Sequence, residues 1–210
     1  SLVQKHLPPE GKDRMKRDIL AGVDVALRLG ITSIHDAGVG DEEVAIYREL
    51  RDGGKLGVRL YVMRYVENPA KLDSVLKHEP EVGPRLSVKA IKVYADGALG
   101  ARGAALLQPY ADRPGESGLV ANDREALFEI MSKASKAGYQ VAVHAIGDRG
   151  NRNVLDVVER LQVATKSPLR VRIEHAQVLS PNDIARLGRK GVGPVKQPIH
   201  PTMDKGYAED

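Results

Sequence analysis

Lys92 in IKVYADG, His144 in VAVHAIGD and His175 in RIEHAQ each stand inside a short apolar run. Such runs read as strands, and a strand interior is a costly place for an ammonium or an imidazole. Three of them in successive strands suggest one convergent site, and we read them as metal ligands. Each has a plainer alternative. A lone strand histidine is usually a satisfied core or surface imidazole, and the alternative for Lys92 is a lysine paired with Asp96 or with a substrate carboxylate.

The elements that must position these residues alternate along the chain. Residues 12 to 29 place Met15, Ile19, Val23, Ala26 and Leu27 on one helical stripe, with Gly30 as its C-terminal cap. ITSIHDAG from Ile31 reads as a strand, and Asp41-Glu42-Glu43 opens the acidic first turn of a second helix that ends at Gly53-Gly54. VRLYVMRYV from Val58, LSVKAIKVYAD ending at Asp96, QVAVHAIG, RVRIEHA and GVGPVKQP read as further strands. Between them fall helices after Pro69, after Asn122 or Asp123, from about Arg149 and after Ser180-Pro181. The Gly-, Ala- and Pro-rich stretch from Gly97 to about Ala121 is long enough to be a functional loop.

Repeated strand-helix units require parallel pairing, which leaves a (β/α) barrel or an open doubly wound sheet. No Gly-x-Gly-x-x-Gly follows the first strand, which disfavours a dinucleotide fold. In a barrel, strand side chains alternate between the interior and the surrounding helices. Ile91, Val93 and Ala95 should therefore face helices and leave Lys92 and Asp96 inside. Val141, Val143 and Ala145 should face out while His144 faces in, and Ile173 should share an inward face with His175. Both histidines fall near the C-terminal ends of their strands, where barrel enzymes carry their chemistry.

Composition narrows the function class. A chain of 210 residues, 42% hydrophobic and 29% charged, suits one soluble domain with a sizeable core. The net charge of +4 comes from basic residues spread among acidic ones, and aromatics make up 4%, so a stacking nucleic-acid face is not expected. The absence of cysteine excludes disulfides, thiolate metal sites and a cysteine nucleophile. Neither a leader nor an apolar run near membrane-span length is found, so a cytoplasmic location without membrane partners is the expectation. Ser1 is not preceded by methionine, as for a chain that starts inside a longer protein or carries a cloning remnant.

The blocks IKVYADGALGARGAALLQPYADRPGESGLV, GYQVAVHAIGDRGNRNVLD, RIEHAQVLSP and QPIHPT resemble the central blocks of the amidohydrolase superfamily, specifically the branch of N-substituted formamide deformylases and metal-dependent hydrolases like them. The resemblance runs from about Leu29 to His200. It implies a distorted (β/α)8 barrel holding one or two divalent metals, usually zinc. His144 matches the family ligand on the fifth barrel strand and His175 that on the sixth, while Lys92 lies where many members carry a carboxylated lysine bridging two metals. The implied chemistry is attack on a polarised carbonyl by hydroxide that the metal generates near neutral pH, cleaving a C–N bond in a small amide, formamide or ring.

Two family features are missing. No His-x-His pair occurs anywhere, His6 and His35 standing alone, and the aspartate of the eighth strand would lie beyond Asp210. The chain thus reads as a single domain, residues 1–210, forming a partial (β/α)8 barrel of roughly strands two to seven. Such a section cannot close a barrel alone, so its edges predict a homo-oligomer, a rearrangement or a non-catalytic role through association. It is expected to be inactive by itself and weak in metal binding. Asp96, Arg102 and His200 are candidates for substrate contact. His35-Asp36 reads as a pair behind the ligands or as strand-end packing, Asp148-Arg149 as a helix cap or a substrate contact, and His6 and His78 as surface residues.

Overall fold

The computed structural model describes residues 6, 11–165, 169–188 and 191–208. It resolves into two compact units, one of residues 1–64 with 81–89 and one of residues 65–80 with 90–210.

The first unit holds α1 (Lys12–Arg28), β1 (Ser33–Val39), α2 (Asp41–Asp52), most of β2 (Arg59–Tyr65) and the start of β3 (Leu86–Tyr94). β1 and β2 pair in parallel, Ile34 opposite Leu60 and Asp36 opposite Val62, with an irregularity between Ala37 and Val39. Its core gathers Val23 from α1, Val44 and Leu50 from α2, Val58 just ahead of β2, and Leu60, Val62, Leu86 and Val88 from the strands. The acidic start of α2 is used as expected: the Glu43 carboxylate accepts the Gly40 N–H at 3.0 Å. Tyr47 of α2 donates its hydroxyl to the Asp36 carboxylate, so Asp36 is engaged in packing a helix on its strand.

The second unit contains α3 (Pro69–Val75), the rest of β3, α4 (Arg124–Lys136), β4 (Gln140–Ala145), α5 (Asp148–Ala164), β5 (Val171–His175), α6 (Pro181–Leu187), β6 (Val192–Val195), and the short α7 (His200–Met203) and α8 (Lys205–Ala208). Helix starts carry the expected caps. Asp123 accepts the Ala126 N–H at 2.9 Å ahead of α4, and Pro181 occupies the first turn of α6. β3, β4, β5 and β6 pair in parallel, and the strands follow one another in sequence order from β1 to β6. A sequential parallel sheet with helical crossovers is the order of a partial (β/α)8 barrel, as the alternation predicts. Among the described residues no helix is long and apolar enough to cross a membrane.

The core of this unit decides which strand face is which. Ile91, Val93, Ala95, Val141, Val143 and Ala145 cluster with Leu127, Ile130 and Met131 of α4 and Val154, Leu155 and Val158 of α5. The other face therefore carries Lys92, Tyr94 and His144, as parity predicts. Ile173 corrects the expectation made for it. It is fully buried in the same helix-facing cluster and pairs with Val143, so the residue of β5 that shares the face of His144 is its register partner Glu174.

Candidate functional site

By strict alternation His175 would point toward the helices, as its register partner Ala145 does. It does not, because the strand leaves β conformation there: φ is +76° at His175 and +43° at Ala176. Left-handed backbone is uncommon for residues other than glycine, and two cases in succession carry a cost that the surrounding structure must offset. The result is that the rings of His144 and His175 meet edge to face with centroids 4.7 Å apart.

These two rings belong to a row at the C-terminal ends of the strands. Tyr94 lies 4.7 Å from His144, and Tyr65 lies 5.7 Å from Tyr94 at the start of the row. His200, at the start of α7, stacks on His175 at 5.8 Å. The Lys92 ammonium sits 3.7 Å from the centre of the Tyr94 ring, a cation–π contact on the same strand face. Lys92, His144 and His175 are thus brought together, and His200 joins them.

Each polar group has an assigned environment. The His144 Nε2–H donates to the Gly97 carbonyl at 3.3 Å, and the same nitrogen lies 3.5 Å from Asp96 Oδ1. The His175 Nδ1–H donates to Gln197 Oε1 at 3.1 Å, which leaves Nε2 bare. Burial pushes His144 down to about 4, against the Gly97 carbonyl, with His175 and Lys92 adding to the fall. Burial also lowers His175, opposed by Gln197. Both imidazoles are neutral at pH 7, the form that binds metal. Burial lowers the Lys92 ammonium to about 8, opposed by the carboxylate of Glu174. Glu174 is itself held by Arg172 at 2.7 Å on the same strand.

These residues pass a test of fit for a divalent ion. Metal–nitrogen bonds of about 2.0–2.1 Å allow two ligating rings to have centroids up to roughly 6 Å apart, so a separation of 4.7 Å is permitted. Each histidine has one nitrogen tied to an oxygen acceptor, the arrangement that orients a ligating imidazole. Among the described residues no cluster of three His, Cys, Asp or Glu could hold an ion, so this chain offers two histidines and Lys92.

Of the remaining candidates, Asp96 lies beside His144 and the others lie apart from that center. Asp96 is 1% exposed, and its oxygens accept the N–H groups of Ala105, Ile146 and Gly147 at 3.0, 2.9 and 2.7 Å. Arg102 pairs with Asp112 on the outside of the long loop. Asp148 accepts the Leu107 N–H at 2.8 Å while Arg149 donates to the Ser117 carbonyl at 3.0 Å, so this pair fastens the loop. His35 packs on Tyr61 in the first unit, with ring centroids 5.0 Å apart. A cavity of about 410 Å³ opens beside His175 and His200, lined also by Leu99, Gln177, Lys196 and Gln197.

Sequence reading passed over Glu174, Arg172, Tyr94 and Gln197 as members of the site. Strand alternation marks the first three, since Arg172 and Glu174 interleave with Val171 and Ile173, and Tyr94 follows Lys92 by two. Gln197 belongs to an irregular segment after β6 and carries no such signal.

Comparison with known proteins places the chain in a family. The model of the amidohydrolase family matches residues 1–210, and the chain belongs to that family. It is 32% identical over 214 residues to the YtcJ protein of Bacillus subtilis (strain 168), covering 100% of this chain and 40% of that protein. The crystal structure of an uncharacterised metal-dependent hydrolase from Pyrococcus furiosus superposes with a TM-score of 0.83 at 29% identity, over 93% of this chain and 40% of the other. The N-substituted formamide deformylase of Arthrobacter pascens is 23% identical over 181 residues, 82% of this chain and 32% of that enzyme. The chain therefore spans about 40% of the length of the first two.

Proposed function

We propose that this chain is the central section of a metal-dependent amidohydrolase barrel, acting in the cytoplasm, and that Lys92, His144 and His175 are its contribution to the metal site. The observation that carries this reading is the left-handed turn at His175, which brings its ring to 4.7 Å from that of His144. A bound divalent ion, zinc by its preference for imidazole and carboxylate, supplies Lewis acidity toward a carbonyl and acidifies water. The chain's own residues hold two neutral imidazoles in fixed orientation through the Gly97 carbonyl and Gln197. Lys92 becomes a ligand by joining its neutral amine to carbon dioxide, forming an N–C bond, releasing one proton and leaving a carboxylate. Arg172 is paired with Glu174 on β5, two strands along from Lys92, where it would offset part of an added negative charge.

The substrate class that fits is a small amide or formamide, hydrolysed at its C–N bond. The formamide branch draws support from the 23% identical deformylase. His200, stacked on His175 at the cavity, is the residue best placed to touch substrate. The experiment is to load the longer protein with zinc and assay it on N-substituted formamides and on larger N-acyl amides. Turnover of either class that disappears in His144→Ala and His175→Ala supports the reading, and unchanged turnover in both refutes it.

Association of copies is a second reading, favoured by the exposed Ile184, Ile199 and Met203. Sedimentation across a concentration series tests it. A monomer at every concentration excludes it.

A further inference from the structure

Asp96 lies two residues beyond the end of β3, is 1% exposed and does not line the cavity beside His175. Its carboxylate accepts three main-chain N–H groups from two separate segments. Ala105 belongs to the long loop, at 3.0 Å, and Ile146 and Gly147 follow His144 by two and three residues, at 2.9 and 2.7 Å. Oδ1 also lies 3.5 Å from His144 Nε2. The fit around this carboxylate leaves no space for other side chains. A Cβ on Gly150 would stand 2.4 Å from Asp96 Oδ2, and one on Gly147 would stand 2.0 Å from the Ala105 carbonyl oxygen. From the opposite side the fully buried Asn151 amide donates to the carbonyls of Ala145, Ile146, Gly147 and Val178.

We propose that Asp96 is the positioning residue of the site: it locks the His144 ring by gripping the main chain just beyond it and seats the Gly97–Ala121 loop on the same turn. A buried carboxylate that accepts three main-chain N–H groups is held within the protein rather than offered to a substrate. The proposal gives Asp96 an indirect role in the function argued above and rests on His144 being a working group. Its test concerns the metal-free ring, so its failure would leave the metal reading untouched.

The test is nuclear magnetic resonance on the chain itself. In the unsubstituted protein, couplings across the hydrogen bonds should link the Ile146 and Gly147 amide nitrogens to the Asp96 carboxyl carbon, and His144 should show a single Nε2–H tautomer. Asp96→Asn, which presents a donor to N–H groups, and Gly150→Ala, which pushes the carboxylate aside without changing charge, should both lose the single tautomer and shift those two amides. His35 and His78 should keep their signals, which a general loosening of the fold would not spare. Absence of the couplings in the unsubstituted protein overturns the proposal, as does an unchanged His144 signature in either folded variant.

Discussion

Gly147→Ala isolates the close contact on which the loop depends. Gly147 has φ −73° and ψ 155°, a conformation open to any residue, so the substitution carries no backbone strain and its cost is steric alone. The added Cβ would lie 2.0 Å from the Ala105 oxygen, where ordinary contact begins at 3.4 Å, so the loop must retreat by more than 1 Å. That movement breaks the bonds from the Arg149 and Gly150 N–H groups to the Ala105 carbonyl, at 3.0 and 3.2 Å, and the bond from the Ala105 N–H to Asp96. Three bonds at about 1 kcal/mol each, with overpacking of about 1 kcal/mol or more, give a loss of roughly 3–5 kcal/mol. For a chain of this size the corresponding fall in Tm is about 6–20 °C. Thermal unfolding followed by circular dichroism measures it. Gly22→Ala in α1 is the matched control, because nothing lies within 4 Å of its Cβ, and helix propensity predicts a gain of about 1 kcal/mol. A fall of less than about 2 °C for Gly147→Ala would show that the contact yields freely and would refute the reasoning.

Arg186, 15% exposed in its side chain, holds Asp156, Asp183 and Glu159 at 2.7, 2.7 and 2.9 Å. Arg186→Met should cost about 1.5–3 kcal/mol, since it removes three charge-assisted bonds while Asp183 keeps Arg152 and Asp156 keeps Arg124, and the urea midpoint reports it. For His144 the pH dependence has a definite sign. The unfolded imidazole takes a proton near 6.5 and the folded one only near 4, so its stabilising contribution is full above pH 6.5 and is lost as pH falls toward 4. Asp96, raised to about 6 by burial, contributes in the opposite sense between its ordinary 3.8 and 6, so the comparison must be with a variant. His144→Gln should gain up to about 3 kcal/mol relative to the unsubstituted chain between pH 7 and 4 in urea unfolding, and equal slopes would contradict it. In the longer protein Lys92→Ala should remove most activity and short carboxylates should restore part of it, whereas near-normal turnover would dismiss Lys92 as a ligand.

Strand alternation made most of this fold legible, because β3 and β4 bury one face against helices and each residue step changes face. Ile91, Val93, Val141 and Val143 declare the helix side, and Lys92 and His144 then follow. The same rule failed at β5. Ile173 and His175 share a parity but not a face, since the positive φ at His175 turns its side chain away from the direction alternation assigns, and no residue type in RIEHAQ announces that turn. Asp96 was named from the sequence as a substrate contact, and its main-chain anchoring escaped for a different reason. Its partners are main-chain N–H groups of residues 9, 50 and 51 positions away, which leave no side-chain pattern to read.

Anomalous diffraction at the zinc edge from crystals of the longer protein tests the metal site most directly. An ion within about 2.0–2.3 Å of one nitrogen of His144 and one of His175, with density for a carboxylated Lys92 beside it, is the result expected. An ion bound elsewhere in an active enzyme, with both rings free of it, would contradict the account.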